Sequence, residues 1–168
     1  MSESPAESPA ESPAESSAES PADVPEALRF EATELVDIHF EDLDANGVLH
    51  NSRYLTLFEH ALGAYWYPRG WHHDPKRSDM PDTLQVVRAV AITYHWPVME
   101  VGKVAVRFWL DRMGRTSYTY GFEVRSADGS VLHADGTRTQ VNLDPATFAP
   151  KPFNERSLAA FSRLVRDA

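Results

Sequence analysis

The chain has no cysteine among its 168 residues. That excludes disulfide frameworks, thiolate zinc sites and cysteine nucleophiles, and it is compatible with a reducing compartment. Lysine is nearly as scarce, supplying three of the 16 basic residues. An arginine bias suits bidentate phosphate contacts, and the base composition of a gene produces the same bias. No apolar run approaches the roughly 20 residues that cross a bilayer, and no basic-then-apolar leader opens the chain, so a soluble cytoplasmic protein without a membrane partner is expected. A glycine-rich phosphate loop and a nucleophile elbow around Ser52 are missing. No two of the seven histidines stand with an acid at the spacing of a helical zinc site, so His72-His73-Asp74 reads as an exposed loop and neither a metal nor a bound cofactor is expected. Without a basic stripe or a positive body, nucleic acid is a poor partner.

What is present divides at residue 27. Glu-Ser-Pro-Ala recurs at positions 3, 7, 11 and 19, with a degenerate copy at 15. Proline every four residues denies this segment a helix, and after Met1 no large aliphatic or aromatic side chain appears before Val24. Residues 1–27 are therefore expected to be a disordered acidic tail, a solvating linker more than a docking arm. The tail carries seven acids and no base, so the chain's formal charge of -9 falls to -2 for the rest. The remaining residues, 28–168, have the size of one domain with one core.

Within that domain the second half alternates cleanly, as half-buried antiparallel strands do. Val104, Val106, Phe108 and Leu110 share one face of a strand, and after Gly114 the series Tyr118, Tyr120, Phe122 and Val124 does the same. Asp128-Gly129 is a hairpin turn leading to a strand from about Val131 to Leu143. Upstream, Leu84 to Trp96 marks one long strand ended by Pro97, and an earlier one spans about Thr33 to Phe40. The one long helical pattern runs from about Ser52 to Tyr67, with Leu55, Phe58, Leu62 and Trp66 on an apolar stripe and Glu59 inside it. A short helix from about Asn154 to Val165, with Leu158, Phe161 and Val165 on one face, is expected to cap a sheet edge. The order predicts an α+β fold, a long central helix wrapped by a curved antiparallel sheet of about five strands. Its free edges make a homodimer the default.

Residues 42 to 54 carry the densest chemistry. Asp44 stands three residues before Gly47 and a few before the helix start near Asn51, whose first amides lack intrahelical acceptors. Such amides suit a polarised carbonyl oxygen, and one well-placed oxyanion donor is worth roughly 3 kcal/mol. A carboxylate in reach of that carbonyl carbon acts as nucleophile or as base toward water. With a reference pKa of about 3.9, an Asp is a weak base, which suits a thioester better than an amide because the thiolate leaves without prior protonation. The competing reading is structural: Asp44 closes an Asx-turn over Asn46-Gly47. Glu59, a carboxylate in an apolar stripe, needs a partner, and either assists catalysis or receives an amide or an arginine across a dimer seam. Trp66, Trp71, Trp96 and Trp109 line an apolar tunnel or, more commonly for such spacing, fill core.

Taken together these motifs resemble a hot-dog-fold acyl-CoA thioesterase of the 4-hydroxybenzoyl-CoA thioesterase type. The resemblance rests on Asp42-Leu43-Asp44-Ala45-Asn46-Gly47, then Asn51-Ser52-Arg53-Tyr54 and Glu59. It continues in Trp96-Pro97-Val98-Met99-Glu100-Val101-Gly102, Met113-Gly114-Arg115-Thr116-Ser117 and Asp128-Gly129, and covers about Thr33 to Pro152. It implies a helix wrapped by an antiparallel sheet, dimers often paired into tetramers, and a site at the dimer seam. Asp44 would be catalytic, Glu59 would help organise the site, His50 and Asn51 would flank the thioester carbonyl, and Arg115 would hold the pantetheine or phosphate end of coenzyme A. Coenzyme A would then be part of the substrate. Where many relatives read Gly-His-Val-Asn-Asn, this chain has Gly47-Val48-Leu49-His50-Asn51, with the histidine two places later. Two other functions fit the same resemblance: a non-catalytic acyl-CoA-binding module, and a hydratase or dehydratase that pairs His50 with Asp44.

Overall fold

The structure, a computed structural model, describes residues 32–165; the acidic tail lies outside the described residues. The elements run β1 (Thr33–Ile38), α1 (Arg53–Trp66), β2 (Gln85–Tyr94), β3 (Gly102–Met113), β4 (Ser117–Ser126), β5 (Leu132–Asn142) and α2 (Glu155–Phe161). All five strands form one antiparallel sheet in the order β1-β3-β4-β5-β2. β1 and β2, the two strands flanking α1 in sequence, thus end up at opposite edges, and α1 crosses between them.

The helix is seated by aromatic packing. Phe58 is fully buried, stacked on Phe122 with ring centroids 4.5 Å apart, and meets Phe108 and Tyr120 edge-on at 5.9 and 5.7 Å. Phe108 faces Phe122 across the β3–β4 register, so inward positions of both central strands converge on one helical side chain. Stacked and edge-on arrangements put the positive ring edges against negative ring faces and add to the gain from burial.

The buried stripe is Tyr54, Leu57, Phe58, Ala61, Tyr65 and Trp66, rotated from the expected one. Leu55 and Leu62 are only half-buried at its flank, and Glu59 is 60% exposed instead of lying inside the stripe. At about 100° per residue, one step beyond Phe58 already leaves the contact face. β2 also departs from simple alternation. A bulge between Val87 and Ala89 makes Val86 pair with Val141 but Val90 with Arg138, so these two valines face opposite sides although their spacing is even.

The C-terminal helix packs Phe161 against Trp66, Tyr118 and Phe153 on the helix side of the sheet, and Val165 just beyond it bridges Leu110 on the stretch of β3 that β1 leaves unpaired. Its buried residues are Ser157 and Phe161, with Leu164 just beyond, whereas Leu158 and Val165 are exposed. The segment leading to it is anchored by buried Asp82, whose Oδ2 accepts the Asn154 amide at 2.7 Å and whose Oδ1 accepts Asn142 Nδ2 at 3.1 Å.

Replacing Phe58 by alanine empties the point where four aromatic rings meet and should cost about 3–5 kcal/mol of folding stability. Urea denaturation measures it, and a loss under about 1 kcal/mol would show that the helix is held elsewhere.

Candidate active site

The segment before α1 folds into a miniature hairpin closed by a Leu43–Leu49 bridge. The Asp44 amide donates to the Val48 carbonyl at 2.8 Å and the Gly47 amide returns to the Asp44 carbonyl at 2.9 Å. Gly47 sits at φ 74°, the left-handed conformation that glycine adopts without a Cβ penalty. Asp44 Oδ1 accepts the Asn46 amide at 2.7 Å and the Val48 amide at 3.3 Å, so the Asx-turn is real. These contacts, the Asn46 amide foremost, outweigh partial desolvation and hold the Asp44 carboxyl below the usual carboxylate range. The turn is tied to its surroundings because the Leu49 amide donates to the Val98 carbonyl and the His50 amide to the Asp42 carbonyl, at 2.8 and 2.9 Å.

The turn opens onto a cleft of about 470 Å³ lined by Asp44, Val48, Leu49, His50, Asn51, Tyr54, Tyr94, His95, Trp96 and Pro97. Three of the expected site residues, Asp44, His50 and Asn51, are therefore brought together. Tyr94 forms the far wall; its hydroxyl donates to the Asn51 carbonyl at 3.1 Å and its ring meets Tyr54 edge-on at 5.1 Å. In this way the edge strand β2 is coupled to the start of α1.

Two of the helix-start amides are engaged locally. α1 begins at Arg53 with Ser52 as its cap. The Ser52 amide donates to His50 Nδ1 at 3.2 Å, and the Arg53 amide to the His50 carbonyl at 2.8 Å. Both amides are thus engaged by His50. His50 Nδ1 also lies 2.9 Å from Ser52 Oγ. The Ser52 side chain makes no cap hydrogen bond to the rest of the first turn.

Glu59 lies apart from this cleft. It pairs with Arg138, Oε1 to Nη1 at 3.0 Å, at the rim of a second cavity of about 590 Å³ between α1 and strands β4 and β5. That cavity is walled by Leu62, Trp66, Tyr67, Trp71 and Phe161, and carries Gln85, Tyr118, Tyr120, Arg138 and Gln140 on its sheet side. Arg138 was not singled out from the sequence. The signal was available: inward positions of β5 alternate as Ala134, Arg138, Gln140 and Asn142, all buried, so a strand of ordinary appearance carries a charged and two amide side chains toward the core.

Arg115 lines neither cavity. It is exposed in the β3–β4 turn, where its carbonyl accepts the Phe153 amide at 3.0 Å. His72, His73 and Asp74 fall in the loop after α1, with the Asp74 amide donating to His72 Nδ1 at 3.0 Å. Of the tryptophans, Trp66 and Trp71 wall the large cavity, Trp96 lines the Asp44 cleft, and Trp109 bonds Asp111 on the outer face of the sheet.

This geometry meets comparisons that agree with one another. The chain belongs to the Thioesterase superfamily, whose profile matches residues 46–133; His50, Asn51, Glu59 and Arg115 fall within the match and Asp44 stands two residues ahead of it. It is 22% identical over 129 residues to the Escherichia coli acyl-CoA thioester hydrolase YbgC, covering 76% of this chain and 93% of that one. Among solved structures, a Thermus thermophilus thioesterase complexed with coenzyme A and Zn aligns with a TM-score of 0.66 at 24% identity, over 80% of this chain and 95% of that one. A 1,4-dihydroxy-2-naphthoyl-CoA thioesterase from Synechocystis aligns with a TM-score of 0.68 at 14% identity, over 77% and 94%. The fold is the hot-dog fold that these structures share, a curved five-stranded antiparallel sheet around a helix.

The turn contacts at Asp44 have a consequence for pH. Its folded-state pKa is depressed, so the stabilisation it gives is present above the unfolded carboxyl pKa and is lost only as pH falls through the lower folded value. A carbon-detected NMR titration should place the Asp44 midpoint below the usual 3.8; a midpoint at or above it would mean that the turn amides do not hold this oxygen.

Proposed function

We propose that the protein hydrolyses an acyl-CoA, or acyl carrier protein, thioester to a free acid and a thiol. The observation that carries this reading is the convergence of Asp44, His50 and Asn51 on one cleft through a turn braced by backbone hydrogen bonds. Membership of the thioesterase superfamily and likeness to an acyl-CoA thioester hydrolase support the reaction class.

In this mechanism Asp44 acts as nucleophile or as general base toward water. With Oδ1 committed to the Asn46 and Val48 amides, Oδ2 is the oxygen that does the work. A depressed pKa weakens the base but keeps it ionised, and a thioester tolerates that because its thiolate departs without a proton. Amides at the start of α1, with His50 and Asn51 flanking the carbonyl, supply the electrostatic stabilisation that the developing oxyanion needs. Glu59 helps organise the site, and Arg115 takes the phosphate or pantetheine end of coenzyme A.

The second part of the proposal is a homodimer, formed along the edge strand β2 and in turn able to pair into a homotetramer. Val86, Val87, Val90 and Tyr94 on that edge are each 39–49% exposed, and Trp96, Met99 and Val101 follow at 56–66%. An unpaired strand edge with such a run of apolar side chains is costly in water and is relieved by pairing with a copy of itself. Within one chain Glu59 and Asp44 line separate cavities. The cytoplasm is the expected location.

Wild-type protein given short, long and aromatic acyl-CoAs should release free thiol, and Asp44→Asn should lower kcat/KM on the best substrate by about 100-fold or more. Unchanged turnover in Asp44→Asn would reject this mechanism; acyl-CoA binding without thiol release would favour the binding module, and enoyl-CoA hydration without thiol release the hydratase. For assembly, Val90→Asp should shift the mass measured by light scattering from dimer toward monomer. A wild-type monomer at micromolar concentration would remove the seam from the account.

A further inference from the structure

Two β-bulges bring arginines to one groove on the outer face of the sheet. In β3 the inward series is Phe108 and Leu110, and the bulge after Leu110 takes Arg112 out of it. Arg112 pairs instead with Thr119, whose neighbours Tyr118 and Tyr120 are the buried ones. In β2 the bulge leaves Arg88 unpaired between Val87 and Ala89, and Ala89 pairs with Thr139. Thr119 and Thr139 pair with each other, their hydroxyls 2.9 Å apart. A row across four strands therefore reads Arg112, Thr119, Thr139 and Ala89, with Arg88 beside its end. The groove over it, about 320 Å³, is lined by both arginines, Ser117 and the two threonines.

This groove is cationic. Arg88 and Arg112 are exposed, neither guanidinium has a hydrogen bond or ion pair among the described residues, and no acid lines the groove. Asp111, next to Arg112 in the chain, bonds the Trp109 indole. Arg115, in the adjoining turn, is a third exposed guanidinium.

The chain ahead of the described residues carries the opposite charge and enters from the right side. Residues 1–27 hold seven acids and no base, six of them at intervals of four: Glu3, Glu7, Glu11, Glu15, Glu19 and Asp23. Thr33 pairs with Arg107, and the Ala32 carbonyl accepts the Phe108 amide. Followed backwards, antiparallel β1 thus heads for the end of β3 that carries Arg112. Phe108 to Arg112 is about 13 Å along a strand, and the chain from Ala32 back to Asp23 reaches up to about 30 Å. Three strand spacings put Arg112 and Arg88 about 14 Å apart. Acids four residues apart in an extended proline-rich chain stand about 12 Å apart.

We propose that the acidic N-terminal tail docks across this groove, with successive acids of its repeat meeting Arg112 and Arg88. One exposed ion pair contributes little. Several on a single tether act together, at the effective concentration of roughly millimolar that a short linker provides. Other polyanions then reach these two arginines only in competition with the tail.

The lack of cysteine allows a direct test, because Ser20→Cys carries a single nitroxide and the amide signals of the full chain report what lies near it. Ser117 and Ser126 are the two ends of β4, on either side of Phe122, the pair of Phe108. At about 0.01 M salt, where the screening length is about 30 Å, Ser117, Thr119 and Thr139 should broaden and Ser126 should not. The difference should vanish near 1 M salt, where that length is about 3 Å. It should also vanish in Arg88→Glu/Arg112→Glu, and when all seven tail acids are replaced by their amides, which leaves the folded domain untouched. Equal broadening at both ends of β4, or a difference that survives salt or either set of substitutions, overturns the proposal. So do two other occupants. Pyrophosphate that shifts these amides while the nitroxide never broadens them assigns the groove to a soluble anion. Broadening that appears only when nitroxide and isotope sit on different chains assigns it to the tail of a second copy.

Discussion

The contact of Phe58 with the inward rings of β3 and β4 fixes everything else in this fold. A single helix must satisfy the concave face of a five-stranded sheet, and it does so through one phenylalanine stacked on Phe122 and flanked by Phe108 and Tyr120. With α1 locked there, its first turn falls against the end of β2, where Tyr94 reaches the Asn51 carbonyl, and its outer side faces the cavity that Arg138 and Glu59 share. Both candidate cavities are therefore consequences of one helix placement. One lies at the start of the helix and the other along its flank.

The chemistry near Asp44 follows from backbone hydrogen bonding more than from side-chain contacts. The Asx-turn and the catalytic role looked like alternatives in the sequence, yet the geometry makes them compatible. Fixing one carboxylate oxygen to two amides orients the other and lowers the pKa, which keeps the group charged at neutral pH. A rigid turn also limits the entropy lost when a substrate is aligned, a general advantage of placing reactive groups on preorganised backbone. His50 extends the same logic, because the Ser52 amide and hydroxyl hold its ring through Nδ1.

Much of this was legible in the sequence, for identifiable reasons. The five strands and the helix were readable because alternation and helical spacing are direct imprints of one-sided burial. Asp44, His50 and Asn51 meet because they are close in sequence and joined by a tight turn. What failed to show is what depends on partners distant in the chain. The bulge beside Arg88 exists only in its pairing with β5. The stripe of α1 was misphased because Leu55 and Leu62 are apolar yet sit on its flank, leaving the choice of face to Phe108 and Phe122. Arg138 passed unnoticed since only its inward parity, set by Ala134, reveals its burial, and Glu59 found its partner 79 positions away in sequence.

The central claim is that a pinned, ionised Asp44 attacks or activates water at the acyl carbon. It is tested most directly by the pH dependence of kcat/KM for a good acyl-CoA substrate, read in pH-jump assays fast enough to precede acid unfolding. The account predicts activity that persists on acidification until below the ordinary carboxylate range, with the acidic limb absent in Asp44→Asn. An acidic limb in the imidazole range near pH 6.5, or one that survives Asp44→Asn, would assign the reaction to another group.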